Sequence, residues 1–224
     1  MYVSSMKPQL LNRIIKKFFR IMHLLLIVLT NERKCSAISR WSNNSYLSPS
    51  PHFIKQSVVL RNMIPNATCV ETGTFLGETT ELLGTKSSNV ISIEPEENLF
   101  KSAELKFAKN PNIRIIGGTS EEIFPNLIPI LRDEVSFWLD GHYSAGITFK
   151  GEKSTPIMDE LRIIESHLSN FSKVVIMIDD IRCFDPSIPE YSDYPTRTYL
   201  VDWASRNQFS WTIEHDIFIC RNFN

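Results

Sequence analysis

The chain has 224 residues, 42% of them hydrophobic, with 24 Lys and Arg against 25 Asp and Glu. That length and apolar fraction suit one globular domain whose core needs no disulfide staples. A formal charge of -1 gives no whole-chain pull toward nucleic acid, which argues against that partner unless a local basic patch meets it.

Cys35, Cys69, Cys183 and Cys220 lie apart without a C-x-x-C pair, and Cys69 and Cys220 fall inside strand-like runs. Reduced core thiols fit this better than a disulfide frame or a zinc site. Residues 10–30, LLNRIIKKFFRIMHLLLIVLT, set Arg13, Lys16, Lys17 and Arg20 ahead of a short apolar run. The uncharged run is too short to span a bilayer, and TNERKCSA is a poor cleavage site. A basic amphipathic helix is expected, packed on the domain or lying on a membrane or partner surface. A cytoplasmic location with optional peripheral membrane contact through residues 10–30 follows. Residues 1–50 read as this helix followed by an irregular lid or linker (SAISRWSNNSYLSPSPHF), and 51–224 as the main domain.

IKQSVVLRNMI reads as a helix stopped by Pro65. Strands and helices then alternate: ATCVETG, a helix from Glu78, NVISIEP, a helix over NLFKSAELKFAKN, NIRIIGG, a helix over SEEIFPNLIPIL, EVSFWLDG, a loop, a helix over TPIMDELRIIESHL, and KVVIMIDD. FSWTIEHDIFIC reads as two strands around His215 and Asp216. The expected class is α/β: a doubly wound, mostly parallel sheet closed by a C-terminal antiparallel hairpin.

In such sheets ligands sit at the carboxyl ends of the strands where strand order reverses. The first such turn is ETGTFLG, with Gly73 for a tight turn and Gly77 for access to a helix N-terminus. The pattern is Gly-x-x-x-Gly rather than the dinucleotide G-x-G-x-x-G, and Glu71 repels phosphate while suiting a cationic amino-acid head. Glu94 closes the next strand, 23 positions beyond Glu71, where an acid accepts bonds from ribose hydroxyls. Together the two carboxylates point to a positively charged nucleoside without phosphate, S-adenosylmethionine.

VETGTFLGETT, ISIEP and the later strand order resemble the class I S-adenosylmethionine-dependent methyltransferases, from Val70 to the C-terminus. That resemblance implies a Rossmann-like sheet of seven strands, with Glu71, Gly73, Thr74, Gly77, Glu94, Thr119, Ser120 and Asp140 around the cofactor. Thr119 and Ser120 serve equally well as an ordinary helix N-cap. Without that ligand, the glycines would only permit helix–strand packing.

Asp140, His142, Asp179 and Asp180 follow the fourth and fifth strands and converge on the same sheet edge. Clustered carboxylates need a positive partner, and a magnesium-like ion is the simplest one; capping and turn formation are the plainer alternative. Here the chain resembles a narrower group, the metal-dependent O-methyltransferases of sugars and small molecules related to macrocin O-methyltransferase. That resemblance implies Asp140, Asp179 and Asp180 as metal ligands, with His142 standing where those relatives carry an acid. A metal would acidify an acceptor hydroxyl, and His142, unless it is structural, would take its proton with Asp140 beside it. Tyr143, Ser144 and Lys150 would face the small-molecule or glycan acceptor. Two other classes stay open: an NAD-dependent oxidoreductase on a similar sheet, and a non-catalytic binding module of the same fold.

Overall fold

The computed structural model describes residues 30–141 and 155–224, and the chain divides into two compact units between residues 47 and 48. In the first unit residues 30–43 are helical (α1), so the helix runs well into the stretch expected to be irregular. Ser and Asn cost a helix only a few tenths of a kcal/mol each, up to about 0.7, too little to stop it. The end is instead marked by Trp41, whose indole N–H donates to the Leu47 carbonyl at 2.9 Å and whose ring meets Tyr46 edge-on at 5.1 Å. No described helix is long and apolar enough to cross a membrane, and residues 10–29 of the expected amphipathic segment lie outside the described residues.

The second unit runs α2 (His52–Asn62), β1 (Thr68–Thr72), α3 (Glu78–Gly84), β2 (Asn89–Glu94), α4 (Glu97–Phe107), β3 (Ile113–Gly117), α5 (Ser120–Leu127), β4 (Asp133–Leu139), α6 (Ile157–Glu165), β5 (Phe171–Ile178), α7 (Arg197–Arg206), β6 (Ser210–Glu214) and β7 (Ile217–Arg221). α7, capped by the Thr196 side chain on the Tyr199 N–H, is an element the sequence reading passed over. The seven strands lie in the order β3-β2-β1-β4-β5-β7-β6, with β7 antiparallel to both its neighbours and the remaining pairs parallel. This is the expected doubly wound α/β sheet with its C-terminal antiparallel hairpin.

Period-two alternation divides the core between two faces. Val70, Phe137, Leu139, Ile176 and Ile178 pack under α5, α6 and α7 with Phe124, Leu161 and Trp203. Cys69, Trp138, Val175 and Met177 pack on the other face with Val58 and Val59 of α2 and Leu83 of α3. Strand order reverses between β1 and β4, so the crevice beyond their carboxyl ends is where a doubly wound sheet takes a ligand. The four cysteines are free, and Cys69, Cys183 and Cys220 are buried.

Candidate functional site

The turn after β1 is more self-contained than its sequence suggests. Gly73 (φ +89°) donates its N–H to the Ile93 carbonyl at 3.0 Å, Thr74 shares that acceptor at 3.3 Å, and the Gly77 N–H bonds the Thr74 carbonyl. The Phe75 N–H donates to Glu94 Oε2 at 2.7 Å. These amides, expected to cradle a ligand, are thus consumed by β2 and by the turn itself. A Cβ on Gly73 would stand 2.6 Å from the Asp140 carbonyl oxygen, and one on Gly77 2.7 Å from the Phe107 ring of α4. Both glycines therefore serve close packing, the plainer of the two readings, and Gly73 does so at the crevice itself.

Glu71 is fully buried, and its Oε2 accepts from Thr80 Oγ1 and Ser92 Oγ, both at 2.6 Å, while Thr74 Oγ1 lies 2.6 Å from Ser92 Oγ. This network fastens the turn to β2 and α3. The expectation that Glu71 faces a cationic ligand head is corrected accordingly: alternation places it on the α2/α3 face, sealed from solvent, where burial raises its pKa to about 7. Thr74 is likewise buried and structural. Thr119 caps α5 in a capping box with Glu122, which fulfils the capping reading of that residue.

Glu94 ends β2 beside the crevice, its two oxygens taking the Phe75 N–H and the Glu96 N–H at 3.0 Å. Each oxygen keeps a lone pair for a hydroxyl donor. Burial raises its pKa, partly offset by the two backbone N–H groups. Phe75 and Leu76 are exposed beside it and offer apolar surface.

On the other side of the crevice lies a residue the sequence reading missed. Glu160 of α6 is only 1% exposed, and burial lifts its pKa to about 7 although the Ser120 and Thr72 hydroxyls nearby hold it down. Its Oε1 has no hydrogen-bond partner of ordinary geometry, and Thr72 at the end of β1 is buried beside it. Glu160 lines a small cleft with Leu139, Gly141, Thr155, Asp179 and Tyr194, at the carboxyl ends of β4 and β5. The signal was in IMDELRII: Ile157, Glu160, Leu161 and Ile164 recur at helical spacing, and all four are buried.

Asp179 and Asp180 do find the positive partner that their clustering requires, and it belongs to the chain. Asp180 has left-handed φ +55°, which breaks the strand's alternation and brings two successive carboxylates to one point. Lys55 Nζ of α2 sits there, 2.6 Å from Asp179 Oδ1, 2.6 Å from Asp180 Oδ1 and 3.6 Å from Asp216 Oδ2. The Arg182 guanidinium closes the far side on Asp180 and Asp216. Burial lowers the Lys55 pKa, but the Coulombic pull of Asp179 and Asp180 outweighs it and leaves the ammonium held above its ordinary value. Burial and the neighbouring Asp180 push Asp179 up, against the pull of Lys55. These residues do not fit a divalent ion, because the point between the carboxylates is taken by an ammonium. The expected metal role of the pair is revised on that ground. Asp140 follows β4, its N–H on the Thr72 carbonyl at 3.1 Å and its own carbonyl against Gly73. His142, Tyr143, Ser144 and Lys150 lie outside the described residues.

No family model matches the chain, and no curated protein matches it. Among solved structures it is similar to a proposed caffeoyl-CoA O-methyltransferase from Staphylococcus aureus, at 15% identity over 90% of this chain and 99% of that one, with a TM-score of 0.49. It is also similar to SMU.1697c, a proposed methyltransferase from Streptococcus mutans in complex with SAH, at 14% identity over 78% and 98% of the two chains (TM-score 0.48). The 23S rRNA methyltransferase ErmE is similar at 14% identity over 76% and 67% (TM-score 0.47).

Proposed function

We propose that residues 48–224 form an S-adenosylmethionine-dependent methyltransferase acting on a hydroxyl of a sugar or other small polar acceptor. The observation that carries this reading is the crevice between β1 and β4, flanked on the β2 side by Glu94 with lone pairs to spare and on the α6 side by the buried, unsatisfied Glu160 Oε1. Glu94 would hold the ribose hydroxyls, with Phe75 and Leu76 giving the purine apolar surface. The bound cofactor supplies the electrophilic methyl group.

O-methylation releases a proton, and the cleft beside the crevice contains a group matched to receive it. A carboxyl with a pKa of about 7 is partly ionised at neutral pH, and Glu160 Oε1 has a free acceptor site. In this reading Glu160 takes the acceptor proton, His142 being the other candidate; Tyr194 and Thr155 line the small cleft beside Glu160. The near-neutral charge of the chain favours a small acceptor over nucleic acid. The dinucleotide alternative is disfavoured because the turn's N–H groups are already bonded, leaving little for a pyrophosphate.

Calorimetric titration with S-adenosylmethionine tests the reading. Saturable binding is expected, weakened about 10- to 100-fold by Glu94→Ala, since a hydrogen bond to a charged group contributes about 1.5–3 kcal/mol. Glu94→Gln, which keeps one acceptor oxygen, should fall between. Binding of NADH but not S-adenosylmethionine would sink the assignment.

A further inference from the structure

We propose that Lys55 supplies, from within the chain, the positive charge that a divalent ion supplies in metal-assisted transfer, so that the acid pair after β5 works with a resident ammonium and without a metal. The consequence for transfer rests on the function proposed above; the identity of the cation does not.

Three observations carry it. The Lys55 ammonium lies at equal distance, 2.6 Å, from one oxygen of each of two successive aspartates, and 3.6 Å from Asp216, so it stands at the point where the carboxylates converge rather than beside them. The lysine is itself 7% exposed, on the apolar face of α2 with Val58 and Val59, so the buried helix face carries it to the carboxylates. The charges also match: Asp179, Asp180 and Asp216 against Lys55 and Arg182 leave one negative charge, whereas a divalent ion added to the same set would leave an excess positive charge in a buried site. Without Lys55 the cluster would carry two negative charges, the complement of one divalent ion. The lysine and a metal are therefore alternatives for one position.

The geometry also links this cation to the acceptor side. Asp179 lies in the wall of the cleft that holds Glu160, and the Asp180 N–H donates to Asp179 Oδ1 at 2.7 Å, fixing the carboxylate from below while Lys55 fixes it from α2. Lys55 acts through Asp179, which makes it a positioning residue.

The test is a Mn2+ titration of the full chain, followed by electron paramagnetic resonance and by thermal melting. Wild type is expected to bind no Mn2+ that depends on Asp179. Lys55→Gln is expected to bind one equivalent and to gain several degrees in Tm on adding Mn2+, both effects vanishing in Lys55→Gln/Asp179→Asn. A wild-type Mn2+ site abolished by Asp179→Asn would overturn the proposal, as would a folded Lys55→Gln chain that takes up none. Should Lys55→Gln fail to fold, the lysine ammonium proton signals of wild type decide: one slowly exchanging ammonium that disappears in Lys55→Arg is expected, and its absence overturns the assignment. Titration of wild type with S-adenosylmethionine reports separately on the methyltransferase reading, so either can fail while the other stands.

Discussion

Lys55→Met is expected to destabilise the domain by about 3–5 kcal/mol, the cost of leaving buried carboxylates without their counter-charge. Lys55 and both aspartates are almost wholly out of solvent, so water and salt cannot step in as they would around a surface pair. The substitution keeps the apolar stem packed against the helix and removes only the ammonium. Urea denaturation measures the loss, and a companion substitution separates its causes. Asp179→Asn on the Lys55→Met background should recover part of the stability, because one stranded charge goes with it. A Lys55→Met loss under about 1 kcal/mol would mean that the ammonium does not neutralise the pair.

The second large effect is on the pH dependence of stability. Glu71 and Glu160 both have pKa values raised by burial from 4.5 to about 7. A carboxyl whose folded pKa is raised binds its proton more tightly in the native state, so its contribution is complete below about pH 4.5 and is lost as the pH rises through about 7. A shift of that size corresponds to roughly 3 kcal/mol per group as an upper bound. The domain should therefore be more stable to urea at pH 5 than at pH 8. Glu165, whose bonds to Arg206 lower its pKa, acts oppositely but below this window. Glu160→Gln should flatten the profile by about half and leave the chain more stable than wild type at pH 8. Stability that is level or rising from pH 5 to pH 8 would show that these two carboxyls ionise normally.

The architecture was legible because its signals are local and repeated. Alternating β-branched runs and amphipathic helices mark β1 to β5 without ambiguity, and the turn at His215 and Asp216, both with positive φ, marks the hairpin. α7 was missed because RTYLVDWASR mixes polar and aromatic residues with little apolar periodicity, and it is fixed by tertiary packing of Leu200 and Trp203. The site was legible in placement and not in partnership. Glu94, Asp140, Asp179 and Asp180 stand at the carboxyl edge as their positions after strands imply. Their neighbours depend on which strand lies beside which, and that is a long-range fact. Lys55 meets Asp179 across 124 residues, and no pattern local to either segment connects them. A hint was nonetheless present. A lysine in register with Val58 and Val59, and a glutamate in register with Leu161 and Ile164, break the apolar faces of α2 and α6 where a charge needs a reason to be buried.

That same long-range meeting bears on kinetics. Lys55, Asp179, Asp180 and Asp216 come from α2, the end of β5 and the hairpin turn, so the complete cluster joins segments far apart in sequence. Loop closure over such separations is paid for before any contact repays it, which sets this cluster late on the folding route. Interactions absent from the transition state govern how fast the native chain opens rather than how fast it forms. The buried ammonium is then expected to act as a latch, with Lys55→Met speeding unfolding in stopped-flow urea jumps far more than it slows refolding.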